Sequence, residues 1–295
     1  MFKIGKIFHL THVVKDLEAA DRWYDEIFAV NRFYHGYEKL AAREASLILI
    51  GDLVMEPVML AKEPNVERTP IGKFLARFGE HFHSIAWYVD DLGAMATDLS
   101  QQNLRLYDVT GRVVKPPLRT EAVWTHPKET HALLEFAATG NYIADPRLQP
   151  GWTTAPWREH HPLGIDRTSH ITVLFGDLNT GKAFYIDLLG GKLLHESEMP
   201  GRKRSAFIAV GEDTVIEAAQ PLSVASPEGR DLEVNGEGVH AVTFKTLNLK
   251  RASEFLKSKR QRIESQNADT LVLDTGDSFG MVVSFTERAI PNDPR

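Results

Sequence analysis

The sequence predicts an α+β protein made of four β-α-β-β-β units, two in each of two repeated halves. Three observations support this prediction. The halves match at one constant spacing, each half holds a second copy of the same pattern, and every copy combines short strand-like runs with one helical run. The chain has 295 residues, which agrees with two domains of the usual size of roughly 100–200 residues each.

The long repeat relates the segment that begins at His9 to the segment that begins at His170. HLTHVVKDLEAADRWYDEIF and HITVLFGDLNTGKAFYIDLL align without a gap at a spacing of 161 residues (170 − 9). Glu56 and Glu217, in DLVMEPVML and DTVIEAAQP, keep the same spacing. One offset held from His9 to Glu56 indicates a duplicated structural unit.

The second repeat is weaker and lies within each half. HSIAWYVDDLGAMATDL, from His83, parallels HAVTFKTLNLKRASEFL, from His240, at a spacing of 157 residues (240 − 83). Each copy begins with an alternating strand, followed by an Asp-Leu or Asn-Leu pair that suits a helix N-cap, then by a helical run. Residues 141–165 are rich in Pro, Trp and turn formers. We therefore expect domains over 1–145 and 166–295, with a connector over 146–165.

Composition narrows the classes of function. With a net charge of −6 and dispersed Lys and Arg, the chain has no basic patch for nucleic acid or an anionic membrane. No apolar run reaches the roughly 18 residues of a membrane span, and the N-terminus lacks a secretion signal, so we expect a cytoplasmic protein. The lack of cysteine excludes disulfides, thiolate metal sites and a cysteine nucleophile.

Four such units, paired two by two, resemble the vicinal oxygen chelate superfamily. That group includes glyoxalase I, methylmalonyl-CoA epimerase, two-domain extradiol dioxygenases and bleomycin-resistance proteins. The resemblance rests on a histidine seven residues before Asp-Leu, at His9 and again at His170, and it extends over about residues 5–287. It implies that two units form a half-open β cup whose metal ligands come from the first and fourth strands of each unit.

In the first unit, His9 and Glu56 match these ligand positions. The strand period of two places His9 and Thr11 on the cup face and His12 on the helix face, where a core histidine is expected. Glu56 lies within the apolar run VMEPV, and a carboxylate there needs a charged partner such as a metal.

The second unit departs from the family pattern at its first strand. Ser84 takes the position of the ligand histidine, and the neighbouring His83 is expected to face the helix. In WTHPKETHALLEFAA, Glu135 matches the fourth-strand ligand, and this stretch resembles the His-Pro-Lys and Leu-x-Glu pattern of methylmalonyl-CoA epimerases. The resemblance thus implies that His9, Glu56 and Glu135 hold a divalent Mn, Fe, Co, Zn or Mg ion, with Ser84 leaving one place to water or substrate.

The C-terminal half offers fewer ligands. His170 and Glu217 match ligand positions, but Ala241 and Ser284 occupy the third and fourth. A slip or bulge in the strand would allow His240 to join His170 and Glu217 as a metal ligand. Pairing of units across the halves remains an alternative, with His170, Glu217 and Glu135 in one cup and His9 and Glu56 in the other.

Three weaker features have simple explanations. Lys128 and His131 are expected either to contact an anionic substrate or, more simply, to be solvated in a loop. His160–His161 are expected to be exposed in the connector. The basic turn 202–204 is expected to be a solvated hairpin tip, although it suits a carboxylate as well. No Gly-rich phosphate loop or nucleophile elbow is present.

Three functions follow from the resemblance. The first is a metal-dependent isomerase, epimerase or lyase on a small oxygen-rich molecule, with Glu56 or Glu135 as the catalytic proton carrier. The second is an Fe(II) extradiol dioxygenase, which needs two His and one Glu in the C-terminal half and meets Ser284 at the position of the Glu. The third is a non-catalytic small-molecule binder of the drug-resistance type. Formation of a homodimer is left open.

Overall fold

The computed structural model describes residues 2–140 and 144–295. The elements of the N-terminal half are β1 (Ile4–Val13), α1 (Leu17–Phe28), β2 (Asn31–Glu38), β3 (Arg43–Ile50), β4 (Leu53–Leu60), α2 (Pro70–Phe78), β5 (His81–Val89), α3 (Leu92–Gln101), β6 (Leu106–Tyr107), β7 (Val113–Val114), β8 (Ala122–Trp124), α4 (Pro127–Thr130) and β9 (Leu133–Ala138). Those of the C-terminal half are β10 (Ile165–Leu174), α5 (Leu178–Ala183), β11 (Lys192–Met199), β12 (Lys203–Val210), β13 (Thr214–Pro221), α6 (Pro227–Asn235), β14 (Gly238–Thr246), α7 (Leu249–Ser258), β15 (Ile263–Gln266), β16 (Thr270–Leu273) and β17 (Val282–Thr286).

Each half forms one open mixed sheet. The N-terminal order is β2-β3-β4-β1-β5-β9-β8-β6-β7, and the C-terminal order is β11-β12-β13-β10-β14-β17-β16-β15. The first strands of the two units of a half, β1 with β5 and β10 with β14, pair antiparallel at the centre of each sheet. The predicted α+β fold with two β cups is confirmed, and the alternative in which units pair across the halves is wrong.

The predicted helix starts are confirmed in all four units. Asp16, Asp91, Asp177 and Asn248 are the N-cap residues of α1, α3, α5 and α7, and each side chain accepts a hydrogen bond from a backbone N–H of the first turn. This satisfies one of the donors that a helix start leaves unpaired.

Two helices that the repeat analysis did not predict, α2 and α6, connect the units of each half. Their N-caps Thr69 and Ser226 both precede a proline, and they lie 157 residues apart (226 − 69), as the second repeat requires. Ile71 of α2 packs with Val13 and Val58, which belong to the cup face of the sheet. Helix α2 therefore covers one end of the N-terminal cup.

The two halves share a continuous apolar core. Phe28 at the end of α1 contacts Phe244 and Phe285 on the C-terminal sheet. In the expected connector, Trp157 is buried and donates Nε1–H to the carbonyl of Phe28. The predicted boundary between 145 and 146 follows residues 141–143, which like residue 1 lie outside the described part of the chain, and the division into domains stays a prediction.

Among the described helices, none is both long and apolar enough to cross a membrane.

Candidate metal centre

Strand register brings three of the predicted ligands onto the cup face of the N-terminal sheet. Thr11 of β1 pairs with Glu56 of β4. His9 pairs with Ala86 of β5, and Ala86 pairs in turn with Glu135 of β9. Directly paired residues share a face of a sheet, so His9, Glu56 and Glu135 point to the same side.

Their side chains meet. Nε2 of His9 lies 3.3 Å from Oε2 of Glu56 and 3.2 Å from Oε2 of Glu135. The three residues are only 2%, 3% and 5% exposed. Both ring nitrogens of His9 lack a partner with hydrogen-bond geometry among the described residues, although polar atoms this deeply buried are normally satisfied.

Charge in this cup is only partly balanced by the protein. Arg43 at the start of β3 donates Nη2–H to Oε1 of Glu56 at 2.9 Å and Nε–H to Glu38 at 2.6 Å. Oε2 of Glu56 accepts from the hydroxyl of Thr11 at 2.7 Å. Burial opposes protonation of His9, but the nearby carboxylates of Glu56 and Glu135 outweigh burial and raise the pKa of its imidazole. A cation is therefore favoured between the two carboxylates.

The donor set suits a divalent ion. One imidazole nitrogen and two carboxylate oxygens are ligands for Mn²⁺, Fe²⁺, Co²⁺, Zn²⁺ or Mg²⁺. Adjacent ligands at about 2.1 Å from an octahedral ion are about 3.0 Å apart, close to the observed separations. Within residues 2–140 and 144–295, no three His, Asp or Glu side chains already form a coordination site. The fit to an ion therefore rests on the chemistry of the donors and on the short distances from His9 to both carboxylates.

The fourth position differs from expectation. Ser84 is buried at the predicted place, but a register shift against β1 makes His83 the extra residue of a β-bulge. The imidazole of His83 packs against Phe74 of α2, and its Nδ1 lies 3.1 Å from Oγ of Ser84. His83 was expected to face the helix, and the helix that its ring contacts is α2, at the end of the cup. Burial, with Arg43 and His9 nearby, lowers the pKa of His83 to about 3, so its ring is neutral.

Two adjacent cavities lie at these residues. The cup cavity of about 460 Å³ is lined by His9, Glu56, Glu135 and Arg43. A second cavity of about 500 Å³ lies between α2 and the α6–β14 segment, and both apolar side chains and the cations Arg68, Lys73 and Arg77 line it. Arg43 and Trp124 line both cavities, so a ligand in the cup can extend toward the C-terminal half.

In the C-terminal cup, the equivalent pair is His170 and Glu217, with Nε2 and Oε2 3.5 Å apart. Here Lys203 places its ammonium 2.6 Å from Oε1 of Glu217, and Ser205 and Thr172 donate further hydrogen bonds to the same carboxylate. Burial disfavours the charged carboxylate, but Lys203 and His170 hold the pKa of Glu217 well below its usual range. Burial, with Lys203 nearby, lowers the pKa of His170 to about 4.

The remaining positions of this cup are occupied as the sequence predicted. Ala241 pairs with Thr172 at the third position, and Ser284 lies at the fourth, paired with Thr243. Neither residue supplies a strong metal ligand. Glu217 is thus the only carboxylate at the four ligand positions, and it is already paired with the ammonium of Lys203.

Arg43 and Lys203 are equivalent residues that the repeat analysis missed. Arg43 pairs with Leu60 and Lys203 with Pro221, each four residues beyond the cup glutamate, but the spacing between them is 160 rather than 161. The prediction that the basic turn 202–204 is a solvated tip was wrong for Lys203, whose side chain is 13% exposed, and Arg202 pairs with the buried Glu228.

We expect Lys203→Met to lower the free energy of unfolding by about 3–5 kcal/mol, because it leaves the buried carboxylate of Glu217 without its cation. Denaturant unfolding of the full chain measures this change. The double variant Lys203→Met/Glu217→Gln removes both charges and should recover most of the loss. Wild-type stability in the single variant would show that Glu217 does not need the ammonium.

His240 also lies at a β-bulge, but it does not join the cup ligands. A register shift against β10 makes it the extra residue of β14, and its Nδ1 bonds the carboxylate of Asp231 on α6. The same carboxylate lies 3.8 Å from Nε2 of His81 at the start of β5. Among the described residues, no ion pair or hydrogen bond joins His240 to His170 or Glu217. The Asp231 carboxylate instead links the two halves.

The Asp231 cluster predicts a pH dependence of stability. Burial opposes ionisation of Asp231, but bonds to His240 and His81 hold its pKa well below the usual value, so its contribution disappears as pH falls through that lowered pKa. Burial likewise opposes protonation of His81, but Asp231 raises its pKa, so its contribution is lost as pH rises through the raised value. The stability lost in Asp231→Asn, measured by urea unfolding, should be larger near pH 5.5 than near pH 9. An equal loss at both values would contradict this.

The other histidines singled out in the sequence lie in different environments. His12 faces α1 as predicted, where Nδ1 lies 3.0 Å from the hydroxyl of Tyr24. His131 pairs with Glu237 of the C-terminal half rather than lying in a solvated loop. His160 is exposed, but His161 is half-buried against Phe255, contrary to the prediction, and burial lowers its pKa to about 4. Lys128 is exposed.

Comparisons with known proteins point to the superfamily that the sequence resembles. A family model described as the glyoxalase/bleomycin resistance protein/dioxygenase superfamily matches residues 167–276. Mitochondrial methylmalonyl-CoA epimerase from Bos taurus is 32% identical over 122 residues, which cover 39% of this chain and 69% of the relative. The same enzyme from Mus musculus is 29% identical over 133 residues, which cover 44% and 71%.

One solved structure resembles nearly the whole chain. A triple mutant of 4-hydroxymandelate synthase from Streptomyces coelicolor has a TM-score of 0.66 and 10% identity, and the match covers 98% of this chain and 95% of the other. At this identity the likeness shows the fold alone. The bovine relative and the family model show that the chain belongs to the glyoxalase/bleomycin resistance protein/dioxygenase superfamily.

Proposed function

We propose that the N-terminal cup is the active site of a metal-dependent isomerase, epimerase or lyase that moves a proton on a small oxygen-rich substrate. The observation that supports this most directly is the convergence of His9, Glu56 and Glu135 in a buried cavity, with Nε2 of His9 at 3.2–3.3 Å from both carboxylates. His9, Glu56 and Glu135 would hold the divalent ion. A bound ion would supply Lewis-acid polarisation of a substrate oxygen.

The two carboxylates are suited to different tasks. Glu56 is fixed by Arg43 and Thr11, and a proton on its carboxylate would weaken the ion pair with Arg43. Glu135 has only His9 as an ion-pair partner among the described residues, and it lines the cup cavity. We therefore assign proton transfer to Glu135 and a purely ligating role to Glu56.

The position of the Arg43 guanidinium group favours an anionic substrate. Its Nε and Nη2 are occupied by Glu38 and Glu56, whereas Nη1 has no hydrogen-bond partner among the described residues, and the side chain lines both cavities. A guanidinium group is well suited to bind a carboxylate or similar oxyanion. Phe74, Phe78 and Trp124 line the adjoining cavity together with Arg68, Lys73 and Arg77, which suits a continuation of the same molecule that carries both apolar and anionic groups.

The ring-cleaving alternative is not favoured by the C-terminal residues. Ser284 replaces the required glutamate, and Lys203 already neutralises Glu217. We expect Fe²⁺-loaded protein to consume no oxygen and to form no yellow ring-fission product with a panel of catechols. Stoichiometric oxygen uptake with any catechol would contradict this assignment.

The first activity to test is that of the two mammalian relatives, epimerisation of methylmalonyl-CoA. Protein loaded with Mn²⁺ or Co²⁺ is incubated with methylmalonyl-CoA in D₂O, and NMR follows exchange of the hydrogen on the carbon between the two carbonyl groups. Metal-dependent exchange that is lost in His9→Ala supports the proposal. A wild-type protein that binds no divalent ion through His9 would refute it, and the binder alternative would then be preferred.

A further inference from the structure

The sequence Asp-Pro-Arg occurs twice, at 145–147 and 293–295, each time after the last strand of a half. The spacing of 148 residues (293 − 145) fits neither of the two repeats. Asp145 and Arg147 are only 1% and 5% exposed. A charged pair at this depth is costly unless its hydrogen bonds are satisfied, so the contacts of Arg147 indicate its role.

Arg147 binds backbone carbonyls directly before His9. Its Nη2 donates to the carbonyls of Ile7 and Phe8 at 2.7 and 2.9 Å. Its Nη1 donates to the carbonyl of Asp52, in the turn between β3 and β4, at 2.9 Å. Nε and Nη2 also donate to the carboxylate of Asp145, which fixes the plane of the guanidinium group.

Arg295 repeats these contacts in the other half. Its Nη2 donates to the carbonyl of Ser169 at 2.9 Å, and its Nη1 donates to the carbonyl of Asp213. Its Nε and Nη2 donate to the carboxylate of Asp293. Ser169 and Asp213 are the partners of Phe8 and Asp52 in the 161-residue repeat. The same clamp is thus built twice, by segments outside that repeat.

Both clamps hold a β-bulge. Phe8 is the extra residue between the pairs Ile7–Trp87 and His9–Ala86. Ser169 is the extra residue between Thr168 and His170 in the same way. A bulge leaves a backbone group without its ladder partner, and a shift of one residue reverses the faces of all later side chains. The bulge therefore determines that the next residue, His9 or His170, faces its cup.

We propose that Arg147 is the positioning residue of His9, and Arg295 that of His170, through the bulge carbonyls. The clamps also connect the halves. The carboxylate of Asp213 accepts from the N–H of Ile7 at 2.8 Å, and that of Asp52 accepts from the N–H of Thr168 at 2.6 Å. The turn that contains Asp213 therefore binds β1, and the turn that contains Asp52 binds β10.

The test compares Arg147→Lys with its matched variant Arg295→Lys in the full-length, metal-free protein. Lysine keeps the charge, but one ammonium cannot reproduce the planar donor fork that reaches three carbonyls from Arg147 and two from Arg295. The imidazole ¹⁵N signals of His9 and His170 are assigned with His9→Gln and His170→Gln. We expect Arg147→Lys to shift the signals of His9 more than those of His170, and Arg295→Lys to shift those of His170 more than those of His9. Unchanged His9 signals in Arg147→Lys, or equal effects of both variants on both histidines, would overturn the proposal.

A second pair of variants and a second readout complete the test. If Arg147→Lys does not fold, Asp145→Asn and Asp293→Asn replace it. Each removes the charge that holds the guanidinium group of Arg147 or Arg295 without changing the side-chain volume, and the signals of His9 and His170 are compared in the same way. The second readout rests on the proposed function: Mn²⁺ affinity should fall by about 10–100-fold in Arg147→Lys and stay unchanged in Arg295→Lys. Equal Mn²⁺ affinities in the two variants would contradict the proposal. If wild type binds no Mn²⁺ through His9, the proposed function fails, whereas the NMR comparison still decides the positioning role.

Discussion

Replacing Glu135 by glutamine is expected to lower turnover at saturating metal by about 10²–10⁴-fold, the range for loss of a general acid–base group. Glutamine fills the same volume and keeps an oxygen for the metal, but it cannot accept a proton. Metal content should therefore fall without being abolished. Hydrogen–deuterium exchange of the substrate, together with metal analysis of the same sample, measures both effects.

Glu56→Gln is the matched control. Its carboxylate is held by Arg43 and Thr11 and is assigned to metal binding alone, so this variant should lose metal affinity and regain much of its turnover at high metal concentration. If Glu56→Gln loses turnover at saturating metal while Glu135→Gln keeps it, the two roles are exchanged. If neither variant alters turnover or metal content, and ligand affinity is unchanged, the protein is a binder.

His9→Ala is expected to abolish tight metal binding, whereas the equivalent variant His170→Ala should leave it intact. The N-terminal cup offers an imidazole and two carboxylates, and the C-terminal cup has one carboxylate that is already paired with Lys203. Loss of a direct ligand should lower affinity by more than the roughly 10–100-fold that follows loss of an outer partner.

A calorimetric titration of metal-stripped protein with Mn²⁺ should give one tight site per chain. The measured affinity should also rise with pH, because a metal must displace the proton that Glu56 and Glu135 favour on His9. A single site that survives in His9→Ala and disappears in His170→Ala would assign the centre to the other cup.

The sequence alone determined the repeated units, the helix N-caps and the shared face of His9 and Thr11, whereas the resemblance to the superfamily supplied the ligand positions of Glu56 and Glu135. These features follow from local rules: a strand alternates its faces with a period of two, and a helix start needs a side-chain acceptor. The constant spacing of 161 residues then identified His170 and Glu217 as the equivalents of His9 and Glu56. Counting back from the helix N-caps placed Ser84 and Ala241, and the resemblance placed Ser284; the observed strand pairings agree with these positions.

The tertiary structure alone decided which units pair, where the bulges lie and which charges meet. Bulges at Phe8 and His83 depend on the register against the neighbouring strand, and no local pattern records that register. Lys203 reaches Glu217 across a strand pair, and its one-residue departure from the repeat spacing concealed its equivalence to Arg43. A local period determines the face on which a side chain lies, whereas long-range register and burial determine which charge it meets there.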